Sequence, residues 1–290
     1  MPVKILADSA CDLTEKYVKQ YDLEIVPLTV HLDGKEYEDG KGIEPKVVYD
    51  AMREGKAPTT SQVSPQTFKS IFTSYAETNQ PLLYIAFSSQ LSGTYQTAKM
   101  MEQEVKEEYP DAQIHVFDSK CASIGYGLVV LQAAKLAQSG ASMEELIDEV
   151  QYQAKHMEHI FTVDDLEYLY RGGRVSKSAA FVGSLLKIKP LLNVEDGKLI
   201  PIEKIRGRKR VLGRMLEVME ERGKDFQQQM IGISHGDDEE RAKQLAQMIQ
   251  DKFGVKEDQI IIEMVGAVIG AHAGPGTIAL FFSNNPRKNG

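Results

Sequence analysis

Two rhythms of apolar and polar positions divide this chain. In the first half, short solid apolar runs are followed by longer stretches with apolar residues three and four apart. Residues 82–87 are apolar at almost every position, the pattern of a strand buried on both faces. Behind them, residues 96–109 set Ala98, Met101 and Val105 among charges, which predicts a helix. Residues 3–7 and 113–117 predict two more strands. Further helices are predicted from an Asp12 cap to Gln20, over Pro45–Arg53 with proline at its start, and from Pro65 to about Thr78 behind a Ser64 cap. Two more follow, over Ser123–Gln138 and from Ser142, where Glu145 completes a capping box, to near Glu158. Residues 24–32 read as extended, Asp33-Gly34 as a hairpin turn, and residues 57–65 as a hydroxyl-rich loop. Alternation of strand and helix implies a parallel sheet covered on both faces. Ligands of such sheets sit outside the carboxyl ends of the strands.

The second half reads differently. A strand at 159–163 leads to a short helix at 166–170 that breaks at Gly172-Gly173, and then to an apolar helix at 178–186. Residues 190–205 form a hairpin turning at Asp196-Gly197. A helix at 209–222, a strand at 230–234 and a helix at Glu239–Phe253 follow. Strands at 259–264 and 277–282 flank a glycine-rich loop. Hairpins mixed with crossovers imply a mixed sheet with helices on one face. The expected fold class is therefore α/β in two domains without a flexible linker. Residues 1–158 form a three-layer domain with a parallel sheet, and residues 159–290 a two-layer domain with a mixed sheet.

Composition narrows the function classes. The 290 residues carry a formal charge of −8, which disfavours broad attraction to nucleic acid or to an anionic membrane. Two cysteines without a CxxC pair suit a reduced, cytoplasmic setting, and Asp8 arrives before the apolar core of a signal peptide could form. Residues 264–286 lack Asp, Glu, Lys and Arg, yet they hold Gly266, Gly270, Gly274, Pro275 and Gly276. A spanning helix tolerates that poorly, so the stretch is expected inside the protein.

Candidate chemistry gathers in three places. Ser88, Ser89, Ser92 and Thr94 surround Gly93 at a strand-to-helix junction, where unpaired backbone N–H groups and the helix dipole favour a carboxylate or phosphate. The plainer reading is that Ser92 or Thr94 caps the helix. Asp8-Ser9 and Asp118-Ser119 end neighbouring strands and are expected at the same edge. The second place is Gly270–Gly276, whose small residues let His272 reach a pocket unobstructed; a purely structural histidine is the alternative, and His235 is a weaker candidate. The third is basic: Arg206 to Arg210, with Arg171 and Arg174. There is no GxGxxG or Walker motif, and the six histidines lack metal-ligand spacing, so neither a nucleotide nor a metal site is expected.

Taken together, Asp8-Ser9, Asp12-Leu13, Thr60-Ser61-Gln62, Ser88–Tyr95, Leu166-Glu167-Tyr168-Leu169, Arg171–Arg174 and Gly270–Gly276 resemble the DegV family. The resemblance covers nearly the whole chain in the family's order. Departures are small: Asp165 stands where Thr is common, and Cys11 takes the place of another small residue. The resemblance implies a fatty acid buried between the two domains, with carboxylate contacts at Thr60 and Ser92, Ser61 adjacent and His272 closing the cluster. It implies a carrier rather than an enzyme, with no cofactor besides the bound fatty acid. A separate ATP-binding fatty acid kinase subunit would phosphorylate the acid for phospholipid synthesis. Arg171, Arg174 and Arg206 become candidates for steadying the phosphate or docking that subunit. A monomer is expected, with at most transient membrane contact. Two other readings stay open. One is an acyl hydrolase with Ser92 as nucleophile, His272 as base and Asp118 as orienter, although no GxSxG elbow is present. The other is an anion-sensing regulatory module with the basic run as its partner surface.

Overall fold

The computed structural model describes residues 2–176 and 188–287; the helix expected at 178–186 lies outside them. In chain order the strands are β1 (Lys4–Asp8), β2 (Glu24–Val26), β3 (Thr29–Leu32), β4 (Lys35–Glu38), β5 (Thr59–Ser61), β6 (Leu82–Ala86), β7 (Ile114–Asp118), β8 (Met157–Thr162), β9 (Ile188–Glu195), β10 (Lys198–Arg206), β11 (Ile231–His235), β12 (Ile260–Met264) and β13 (Ile278–Ser283). The N-terminal part builds a parallel sheet in the order β2-β1-β6-β7, and β4-β3-β5 form a small antiparallel sheet beside it. The C-terminal part builds a six-stranded mixed sheet in the order β10-β9-β8-β13-β11-β12.

Side-chain alternation assigns the two faces of the six-stranded sheet. Ile160, Leu191, Ile231, Ile233, Ile278, Leu280 and Phe282 face one way and are covered by the helices Arg208–Arg222 and Glu239–Phe253. Phe161, Leu192, Ala279 and Phe281 face the other way and join the core of the N-terminal part. β6, buried along its whole length, and the apolar helix Ser123–Gln138 anchor that core. Among the described residues, no helix is long and apolar enough to cross a membrane.

Three local expectations are overturned. The glycine-rich stretch between β12 and β13 is not a loop: Ala267–Ala273 is a helix, ended by Gly274 at φ 80°. Its glycines serve close packing, because a Cβ on Gly270 would lie 2.6 Å from the Tyr49 hydroxyl. Residues 59–61 are strand β5 rather than loop, because β3 offers them an edge to pair with. Asp12 does not cap a helix: it takes a left-handed conformation at φ 51°, and the helix Glu15–Gln20 starts after Thr14. By contrast, the Ser142–Glu145 capping box forms, and Ser64 accepts from the Thr67 N–H behind Pro65.

The two sheets approach each other through the helix Ser123–Gln138. A Cβ on Gly232 of β11 would sit 2.4 Å from Ile124 Cγ2, closer than any real packing contact, so this strand reaches that helix only through a glycine. Gly232→Ala is expected to lower stability by about 1–3 kcal/mol through overpacking. Urea unfolding of both proteins measures the difference, and an unchanged midpoint would show that the interface yields freely.

Candidate functional site

A cavity of about 230 Å³ lies between the sheets. Its walls are mostly apolar: Leu28, Phe87, Leu91, Phe161, Leu169, Val194, Leu199, Val268, Ile269, Ala279 and Phe281 line it. Thr60, Ser61, Gln62, Ser92, Gly93, Arg174 and His272 also line it and cluster on its polar side. Residues more than two hundred apart in sequence therefore meet at one place. The Thr60 Oγ1 to His272 Nε2 distance is 2.7 Å.

Each side chain has a structural reason for its position. Thr60 sits on β5 opposite Val30, and its neighbour Ser61 holds His31 Nε2 at 2.6 Å. Ser92 lies in the turn after β6, where its N–H donates to Ser88 O. Ser92 Oγ accepts from the Thr94 N–H at 3.2 Å and lies 2.8 Å from Thr94 Oγ1. Gly93, not Ser92 or Thr94, is the N-cap of the helix Thr94–Glu108, which has no side-chain cap, so the capping reading does not hold; Ser92 instead braces the preceding turn and lines the cavity. Gln62 donates to Thr97 Oγ1 at 2.6 Å, with its carboxamide over Gly93, where a Cβ would collide with it.

His272 occupies the last turn of the Ala267–Ala273 helix, and the start of that helix is held by two buried carboxylates. Asp12 Oδ1 accepts from the Gly266 N–H at 3.0 Å. Asp39 Oδ1 accepts from the N–H groups of Ala267 at 3.0 Å and Val268 at 3.3 Å. These satisfy donors that would otherwise be orphaned at the helix start. Sequence inspection gives Asp39 no role, and only its position after the β4 hairpin places it there.

Electrostatics set the charge of the site. Burial, then the positive charges of Arg174 and Arg171, lower the His272 pKa to about 4, so the imidazole is neutral near pH 7. Arg174 is half-buried, and burial lowers its pKa. Its Nε donates to Leu91 O at 3.0 Å, tying the 171–174 turn to the Ser92 turn, and its Nη1 donates to Gly172 O. Among the described residues, no carboxylate pairs with Arg174. Of the other two arginines, Arg171 is exposed over the Tyr168 ring and Arg206 ends β10 in the open; neither lines the cavity. His235 is buried, accepts from the Asp238 N–H and also lies outside it. Asp8, at the strand edge, is wholly buried and internally bonded to Tyr84 and the Phe87 N–H; burial raises its pKa to about 6.

The sign of the His272 shift makes a pH effect testable. A folded pKa below the ordinary 6.5 means that the unfolded chain binds the proton more readily between pH 6.5 and 4. The contribution is complete above about pH 6.5 and is lost as pH falls towards 4. His272→Gln is expected to flatten the fall of the urea midpoint across that window relative to the unsubstituted protein; parallel curves would contradict the assignment. An anion seated beside the ring is expected to raise its pKa, which NMR titration reads directly.

A family model described as "Uncharacterised protein, DegV family" matches residues 2–285. A DegV domain-containing protein of Clostridium perfringens is 42% identical over 287 residues, covering 98% of each chain. The solved structure of a fatty-acid-binding DegV family protein from Thermus thermophilus superposes with a TM-score of 0.89 at 31% identity, over 98% of this chain and 100% of that one. A stearic-acid-binding protein from Eubacterium ventriosum does so with a TM-score of 0.87 at 30% identity, over 96% and 97% of the two chains. With a matching architecture and a match that runs nearly end to end, the chain belongs to the DegV family.

Proposed function

We propose that this protein binds a long-chain fatty acid, tail in the cavity and carboxylate against Thr60, Ser61, Ser92 and His272, and presents that carboxylate to a separate ATP-binding kinase subunit for acyl-phosphate formation. Residues 1–158 and 159–290 act in this reading as two lobes closing on the chain. The observation that carries it is a mostly apolar cavity lined also by the half-buried Arg174 guanidinium, which has no carboxylate partner among the described residues, by hydroxyls and by a neutral imidazole. In the tautomer with its proton on Nε2, His272 donates to Thr60 Oγ1 and leaves the Thr60 hydroxyl proton free for a carboxylate oxygen. Thr94 can donate to Ser92 in the same way, freeing the Ser92 proton. Arg174 supplies the compensating positive charge.

Magnitudes divide the labour. Some fourteen buried methylenes at roughly 0.8 kcal/mol each give on the order of 10 kcal/mol. Each charge-assisted head contact contributes about 1.5–3 kcal/mol before desolvation is charged against it. The tail sets affinity and the polar cluster sets orientation. Exposed Arg171 and Arg206 remain as docking contacts for the kinase subunit. The hydrolase reading fits less well: His272 Nε2 is on Thr60 rather than Ser92, and Asp118 is held by Lys120 at 3.0 Å and by the Ser89 N–H. The relatives named as binding fatty acids support the carrier reading.

An organic extract of the purified protein is expected to yield long-chain fatty acid by mass spectrometry; an empty extract together with no uptake of added acid would defeat the reading. The double substitution Thr60→Ala with Ser92→Ala is expected to cut phosphorylation of bound acid by the kinase subunit about tenfold or more, and to weaken binding by less. Equal losses in both measurements would contradict the division between tail and head.

A further inference from the structure

The cavity is not oily throughout. Ser123, which opens the helix Ser123–Gln138, and Ser234 of β11 both line it, and both are buried, Ser234 completely. Their hydroxyl oxygens lie 3.0 Å apart, and Ser123 Oγ is 2.5 Å from Asp12 Oδ2. A hydroxyl has one proton to give and two lone pairs to fill, and among the described residues the one partner of Ser234 Oγ is Ser123. With Asp12 ionised, Ser123 donates to the carboxylate and Ser234 donates to Ser123, so both lone pairs of Ser234 are unfilled. With Asp12 protonated, the chain can run outward and leave the Ser234 proton unused. Either way, Ser234 brings spare hydrogen-bonding capacity to the cavity.

Strand register fixes its depth. Thr277, just before β13, and Ala279 and Phe281 within it all line the cavity, two residues and so about 7 Å apart at each step. Thr277 Oγ1 bonds Ala273 O, at the end of the His272 helix. Ser234 pairs with Ala279, and His159 pairs with Phe281, which it meets edge-on at 5.3 Å. Ser234 is therefore midway between the polar cluster and the His159–Phe281 wall. An unsubstituted methylene chain would cover its unfilled capacity, whereas a buried polar group without a partner is costly.

We propose that the cavity prefers acyl chains bearing a mid-chain hydroxyl, with Ser234 as the residue that bonds that hydroxyl and Ser123 and Asp12 as the residues that orient Ser234. The proposal rests on the fatty-acid reading above and adds a substrate class to it. The hydroxyl of the chain fills a lone pair of Ser234 or takes its proton, and no bond to carbon is made or broken. Sites that hydrogen-bond a substrate hydroxyl discriminate against the analogue lacking it.

The test compares binding of stearic acid with that of its positional hydroxy isomers, hydroxylated from carbon 8 to carbon 14, to the delipidated full chain by competition calorimetry. At least one isomer is expected to bind about five- to tenfold tighter than stearic acid, with a sharp optimum in position. Ser234→Ala is expected to bring that ratio close to one, Ser234→Thr to keep a preference, and Ser123→Ala to lower it. Ser123→Ala also supplies the answer if Ser234→Ala does not fold. Stearic acid binding as tightly as every isomer overturns this proposal and leaves the carrier reading standing. A ratio unchanged in both alanine variants also overturns it, and binding of neither class of acid overturns both readings.

Discussion

The placement of His272 depends on how the Ala267–Ala273 helix is held. Seven residues make fewer than two turns, too short to be stable alone, and no side chain of its own caps the helix. Its start is fixed instead by Asp12 and Asp39 through three backbone N–H groups. Burial pushes both carboxyls above the ordinary carboxylate range, so the arrangement opposes the desolvation of two acids with the unmet donors of a helix end. Asp39 also belongs to the segment that follows the β4 hairpin, and Asp12 to the turn after β1. The N-terminal part thereby grips an element of the C-terminal part, and the Thr60–His272 contact follows from that grip.

The same economy appears in the cavity. Every strand of the six-stranded sheet that reaches it spends alternate side chains on the helices behind and on the cavity in front. Some of the polar residues arrive from turns and termini: Ser92 after β6, Ser123 at a helix start, Arg174 after the short Leu166–Arg171 helix. Regular elements supply the others, Thr60 and Ser61 from β5, Ser234 from β11 and His272 from the Ala267–Ala273 helix.

Much of this was legible in the chain because it is written locally. Solid apolar runs mark strands, and Ser142 with Glu145, Ser64 with Pro65 and Asp196 with Gly197 mark ends and turns at short range. No local rule joins Thr60 to His272, which the fold brings together across 212 positions. What local rules missed is tertiary in origin. Four glycines between 266 and 276 argue against helix by propensity, but the packing of Gly270 under Tyr49 and the two carboxylates outweigh that preference. Residues 59–61 become strand because β3 stands next to them. Asp12 has the look of a helix cap, yet it serves a helix some 250 positions away. Ser234 and Ser123 carry no sequence signal at all, since their meaning lies in the cavity between them.

The strand order has a consequence for how the molecule comes into being. β13, which follows both in sequence, is inserted between β8 and β11. Until it is in place, the six-stranded sheet exists as two unjoined halves whose unpaired rims invite association with other chains. The C-terminal part therefore stays open until β13, which follows β8 to β12 in the chain, has paired. The cavity, walled in part by Ala279 and Phe281 of that strand, closes only with this insertion rather than growing by stages.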